Sequence, residues 1–187
     1  VGVLEQLGRL QERDEALATA YRVAKLSETK LEDPARTEQA LQRAYELTDG
    51  SREVRDALRS HYEAQGRADR LVELLAVDEA EAEAPAEKVA LLKRMAELQA
   101  GPLEDPGAAA GSLERASQLD PEDREVLLPL CDLYIAAGRQ NDAIPVLEQI
   151  IASYGSRRNK EVAVYHHRLG RAKQSLGDLE GAMESFD

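Results

Sequence analysis

The sequence predicts an all-α protein assembled from antiparallel helix hairpins that recur along the chain. Three observations carry that reading. Ala, Leu, Glu and Arg dominate, aromatics make up only 4% and there is no Trp, a composition that favours helix throughout. β-branched residues never alternate with polar ones over a useful length, so strand signals are nearly absent. Finally, the chain lands on itself when shifted by 72 residues. Leu31-Glu32-Asp33-Pro34 recurs as Leu103-Glu104-Asp105-Pro106, and Arg52-Glu53-Val54 as Arg124-Glu125-Val126. Leu58, Tyr62, Gly66-Arg67 and Leu75 recur as Leu130, Tyr134, Gly138-Arg139 and Leu147. An ungapped match of that length at core-like spacing marks a repeat architecture, in which each unit buries its apolar face against the next.

Taken in order, the elements number about ten to eleven helices, in pairs of roughly 36 residues. Val1 to about Arg13 reads as the second helix of an incomplete hairpin, followed by a separate helix from about Glu15 to Lys30 that carries Leu17, Ala20, Ala24 and Leu26. Asp33 caps a helix that begins at Pro34 and runs to about Thr48, and Ser51 caps the next, to about Gln65. Gly66-Arg67 turns into a helix from about Ala68 to Glu83. Pro85 opens another to about Ala100, and Asp105-Pro106 starts one to Leu119.

The clearest hairpin is Asp120–Ile151. Asp120 is the expected N-cap and Pro121 the expected first helical residue. Leu127, Leu130, Cys131 and Tyr134 follow at i, i+3, i+4 and i+7, one helical face. Gly138 closes that helix, and Ala143, Leu147, Ile150 and Ile151 form the stripe of its partner. Pro129 falls about two turns in, where proline removes a backbone bond and costs about 3 kcal/mol. It is expected to kink the helix and widen the adjoining surface, whereas Pro145 reads as a harmless first-turn proline. A last hairpin runs from about Glu161 to Ser175, turns at Gly177-Asp178 and resumes at about Leu179. The expected organisation is one repeat array over 1–187, with units of about 14–83 and 85–155 and a partial hairpin at 161–187. Because the sequence opens on Val1 and stops within an apolar pattern, it reads as a fragment of a longer protein.

The formal net charge of −12 argues against a nucleic-acid surface, which needs clustered Lys and Arg. No run of about 18 apolar residues is present to cross a membrane. The lone cysteine, Cys131, lies on an apolar face and reads as a core residue. With no second cysteine to pair with, the chain fits a reducing compartment, and a cytoplasmic location is the expectation.

The hairpins resemble the tetratricopeptide repeat, a helix–turn–helix of roughly 34 residues. The middle hairpin carries Leu130, Cys131 and Tyr134 with the turn glycine Gly138 and then Ala143 and Leu147. The last hairpin carries Leu169-Gly170, Gly177, Ala182 and Phe186. The departures are Leu127 or His166 where a large aromatic is usual, and longer loops near 101–104 and 155–160. The resemblance implies a right-handed α-solenoid whose first helices line a concave groove for a peptide or protein segment. It places Arg22, Lys25, Glu53, Asp56, Ser60, Glu63, Lys93, Arg94, Asp132, Ile135, His167, Arg168 and Arg171 on that groove. Mixed signs suit a partner of alternating charge. The Lys/Asn/Asn/Lys/Arg set with which one branch of the family grips chaperone tails is not reproduced: Glu97, Pro129 and Val164 occupy three of its positions, and only Arg168 fits the last.

No constellation of residues supports catalysis, a metal or a cofactor. Adjacent His166 and His167 point to different faces, and Gly101–Gly111 lacks the Lys-Ser/Thr of a phosphate loop. The basic run Arg157-Arg158-Asn159-Lys160 stands against the overall charge and suits either solvent or an acidic partner. The expected function is a non-catalytic interaction scaffold, large and bacterial in character. The alternatives are a regulatory or ligand-sensing module attached to an enzyme or transcription factor, and self-association through the apolar face of 179–186.

Overall fold

The computed structural model describes residues 2–155 and 160–186. Among the described residues the regular elements are ten α-helices: α1 (Gly2–Leu26), α2 (Pro34–Leu47), α3 (Arg52–Gln65), α4 (Ala68–Glu81), α5 (Pro85–Ala100), α6 (Pro106–Leu119), α7 (Arg124–Ala136), α8 (Gln140–Ser153), α9 (Lys160–Ser175) and α10 (Leu179–Phe186). They fall into two compact units, Val1–Leu74 and Leu75–Asp187, divided within α4.

In the first unit α1 packs on α2 and α2 on α3. Ala20, Ala24, Leu41, Ala44, Val54, Leu58 and Tyr62 are buried there. Arg55 is buried too, its Nη1 donating to the Gly50 carbonyl at 2.7 Å. In the second unit each helix from α5 to α10 packs on the next, the sequential packing by which hairpins in a solenoid cover one another. Its core includes Leu127, Cys131, Leu147, Ile150, Leu169 and Ala172, drawn from α7, α8 and α9.

Three expectations need correction. Gly2–Leu26 is not two helices but one, α1, which continues as a π-helical turn over Ser27–Leu31. No Gly or Pro separates Arg13 from Glu15, so nothing stops the helix there. The cap of α7 is Asp123 rather than Asp120: its carboxylate accepts from Glu125 N at 2.8 Å, while Asp120 closes α6 and Pro121 lies in the turn. Proline has no N–H with which to extend α6, so the chain leaves that helix there and re-enters one turn later. Pro145 is not in a first turn. α8 begins at Gln140, because Arg139 directly after the left-handed Gly138 is its N-cap, and Pro145 is the sixth residue, as Pro129 is of α7. The Arg157–Asn159 part of the basic loop lies outside the described residues.

The 72-residue equivalence reaches the backbone and the side-chain bonds. Glu32 and Glu104 both adopt φ 50° just before the caps Asp33 and Asp105. Asp33 N donates to Ser27 O and Asp105 N to Gln99 O, the same long reach back into the preceding helix. Ser51 and Asp123 are equivalent N-caps. Tyr134 donates its hydroxyl proton to Glu114 at 2.7 Å; at the equivalent positions the Tyr62 hydroxyl accepts from Gln42 at 3.3 Å and donates to Glu38 at 3.2 Å. One buried group has lost its partner between the copies. Gln99 accepts from Ser112 at 2.7 Å, but the equivalent pair is Ser27 and Ala40, and the buried Ser27 hydroxyl makes no hydrogen bond among the described residues.

Candidate functional site

The residues assigned to a groove lie on α1 and α3 in the first unit and on α5, α7 and α9 in the second, all first helices of their hairpins. Arg22 and Lys25 are exposed on α1, and Glu53, Asp56, Ser60 and Glu63 on α3. Glu53 lies close enough to Tyr21 to add to the rise that burial imposes on that phenol. Asp56 pairs with Arg59 at 2.9 Å, and Ser60 donates to the Asp56 carbonyl.

In the second unit several of the charges are already committed to one another. Lys93 on α5 reaches the start of α7, bonding to Glu125 and, at 3.3 Å, to Asp123. Glu125 first, and Asp123 with it, hold the ammonium above its ordinary range. Arg94 pairs within its own helix with Glu97 at 2.9 Å. Asp132 on α7 accepts from Arg168 on α9 at 2.6 Å. Neighbouring first helices are therefore stitched by ion pairs along the face assigned to a partner.

Five of the thirteen assigned residues come together. Asp132, Ile135, His167, Arg168 and Arg171 line a cleft of about 400 Å³ between α7 and α9, completed by Gln140, Ala172 and Ser175. Helical spacing explains the set: Arg168, Arg171, Ala172 and Ser175 fall at i, i+3, i+4 and i+7, and Asp132 and Ile135 at i and i+3. Ile135 keeps 37% of its surface exposed, whereas Ala172 belongs to the core below, which gives the cleft a packed floor. Cys131 lies in that floor, and burial, with the Asp132 charge adding to it, pushes its thiol up to about 11. Among the described residues Arg171 makes no ion pair, so the cleft holds one cation beyond the Arg168–Asp132 pair. His167 stands against Phe186, ring centroids 5.5 Å apart. That ring leaves no room for a Cβ at position 170, which accounts for Gly170 in the middle of α9.

Sequence reasoning missed Gln140, Ala172 and Ser175. The α9 members could have been found by extending the helical spacing from Arg168. Gln140 could not, because its place depends on where α8 begins. Among the described residues no group of three or more His, Cys, Asp or Glu side chains is placed to hold a metal ion, and no helix is long and apolar enough to cross a membrane.

These features define an all-α helical-repeat fold. Residues 98–163 match the family model of the tetratricopeptide repeat. The chain's fold is similar to that of MamA from AMB-1, at 19% identity over 97% of this chain and 89% of that one, with a TM-score of 0.54. It is also similar to YrrB, described as a TPR protein with an unusual peptide-binding site, at 16% identity over 96% and 87% of the two chains and a TM-score of 0.52. At these identities the likeness establishes the fold. No curated protein sequence matches the chain.

Proposed function

We propose that this protein is a non-catalytic scaffold that holds a peptide or protein segment against its first helices, with the α7/α9 cleft as the principal contact in the second unit. The observation that carries the reading is the convergence of Asp132, Ile135, His167, Arg168 and Arg171, from two helices, on one cleft with a packed floor. A mixture of exposed apolar and charged groups over a preformed base suits an extended segment. The peptide-binding site of YrrB, on the same fold, supports this mode of use.

The test is a peptide-display selection against the 187-residue protein, followed by amide chemical-shift mapping of the selected peptide. The expected result is perturbation centred on Ile135, Arg168 and Arg171. Perturbation confined to the second helices α6, α8 and α10 would overturn the assignment.

A further inference from the structure

We infer that the α7/α9 cleft selects an acidic–aliphatic segment, one that sets a carboxylate against Arg171 and an apolar side chain on Ile135 and Ala172. This rests on the reading of the cleft as a segment-binding site and adds the chemistry of its ligand. Arg168 and Asp132 neutralise each other across the cleft at 2.6 Å, while Arg171, three residues on and on the same helical face, has no carboxylate among the described residues. The local surplus is positive in a chain of net charge −12. An acidic segment is therefore repelled by the protein as a whole, and any affinity it shows must come from local contacts. The apolar half of the requirement follows from Ile135, a large side chain 37% exposed that lines the cleft together with Ala172 of the core. Covering it removes apolar surface from water without any rearrangement of the floor. Asp132 then has a definite role: it holds Arg168 and repels an incoming carboxylate, so it tunes affinity downward.

The experiment uses a short fluorescein-labelled peptide alternating Glu and Leu, with Gln/Leu and Glu/Ser counterparts, and reads fluorescence anisotropy on the 187-residue protein. The Glu/Leu peptide should bind best. Arg171→Gln should weaken it by roughly two- to fivefold and erase its advantage over the Gln/Leu peptide. Asp132→Asn should tighten it by roughly threefold, because a second guanidinium is released and a repelling charge removed; a merely structural role for Asp132 would not produce a gain. Circular dichroism establishes that both variants keep their helix content. Equal binding of the Glu/Leu and Gln/Leu peptides would overturn the charge selection while leaving a segment-binding cleft intact. Equal binding of the Glu/Ser peptide would overturn the apolar contact. Absence of binding by all three would overturn the inference together with the site it rests on.

Discussion

Tyr134 and Tyr62 stand 72 residues apart, with 6% and 3% of their surfaces exposed, and their truncation tests the repeat quantitatively. A buried aromatic ring removed to Ala costs about 3–5 kcal/mol, and both Tyr134→Ala and Tyr62→Ala should fall in that range. The hydroxyls should separate them. Tyr134 donates to the Glu114 carboxylate at 2.7 Å, so Tyr134→Phe should cost about 2 kcal/mol, whereas the longer bonds of Tyr62, 3.2 and 3.3 Å, predict about 1 kcal/mol or less. Urea titration followed by far-UV circular dichroism measures each through its midpoint. Burial first, then the Glu114 hydrogen bond and charge, hold the Tyr134 phenol above the usual tyrosine range. The unfolded phenol loses its proton near pH 10 while the folded one keeps it. Stability present below that pH is therefore lost as the pH climbs beyond it, by at most about 1.4 kcal/mol per unit, and Tyr134→Phe should flatten this limb. A large cost at one tyrosine and none at the other would refute the equivalence of the two units. Equal costs for Tyr134→Phe and Tyr134→Ala would place the energy in the bond rather than the ring.

Cys131, with its thiol raised to about 11 and its side chain 1% exposed, should resist an aromatic disulfide reagent until the protein unfolds; rapid native labelling would contradict the packing of α7 on α8 and α9. Ser27→Ala should stabilise the first unit by about 1 kcal/mol, since it removes a buried hydroxyl with no partner among the described residues, and a loss measured by urea titration would mean that the hydroxyl is bonded. Pro129→Ala should raise the melting temperature by several degrees, because it restores the N–H that can donate to the Glu125 carbonyl and relieves part of a cost of about 3 kcal/mol. Pro145→Ala should do likewise from the same position in α8, and an unchanged or lower melting temperature in either case would refute the reading.

The helix content, the hairpins and most boundaries were legible in the sequence, because caps and breakers stand next to the apolar stripes they delimit. Ser51, Pro85, Asp105-Pro106 and Gly66 each mark an end that local chemistry decides. The errors arose where two local rules competed. Asp120-Pro121 satisfies the rule for a helix start, yet Asp123 satisfies it as well. The equivalence of residue 123 with the cap Ser51 would have decided between them. Of the candidate site, the exposure of most assigned residues was legible, because polar positions on amphipathic helices face solvent, although Lys93 and Arg168 are half-buried. Their pairing was not: that Lys93 reaches Glu125 and Arg168 reaches Asp132 depends on the spacing and rotation of neighbouring hairpins, which no single helix encodes.

That pairing changes what the mixed charges mean. A groove of alternating free charges would present a complementary pattern to a partner. Here Lys93 is met by Asp123 and Glu125, Arg94 by Glu97 and Arg168 by Asp132, so their fields cancel within the roughly 8 Å over which charge is felt at physiological salt. What reaches farther is the net −12 of the chain. Each internal pair contributes at most about 1 kcal/mol at the surface, so a partner carboxylate can replace Asp132 on Arg168 at little cost but also for little gain. Discrimination is left to Arg171 and to the apolar surface of Ile135. For an acidic–aliphatic segment this has an unusual kinetic signature. Rising salt screens the long-range repulsion and should speed association, while it weakens the Arg171 contact and should speed dissociation. An association rate that falls with salt would show that positive charge steers the encounter, contrary to the assignment of the cleft cation as a local contact in an acidic chain.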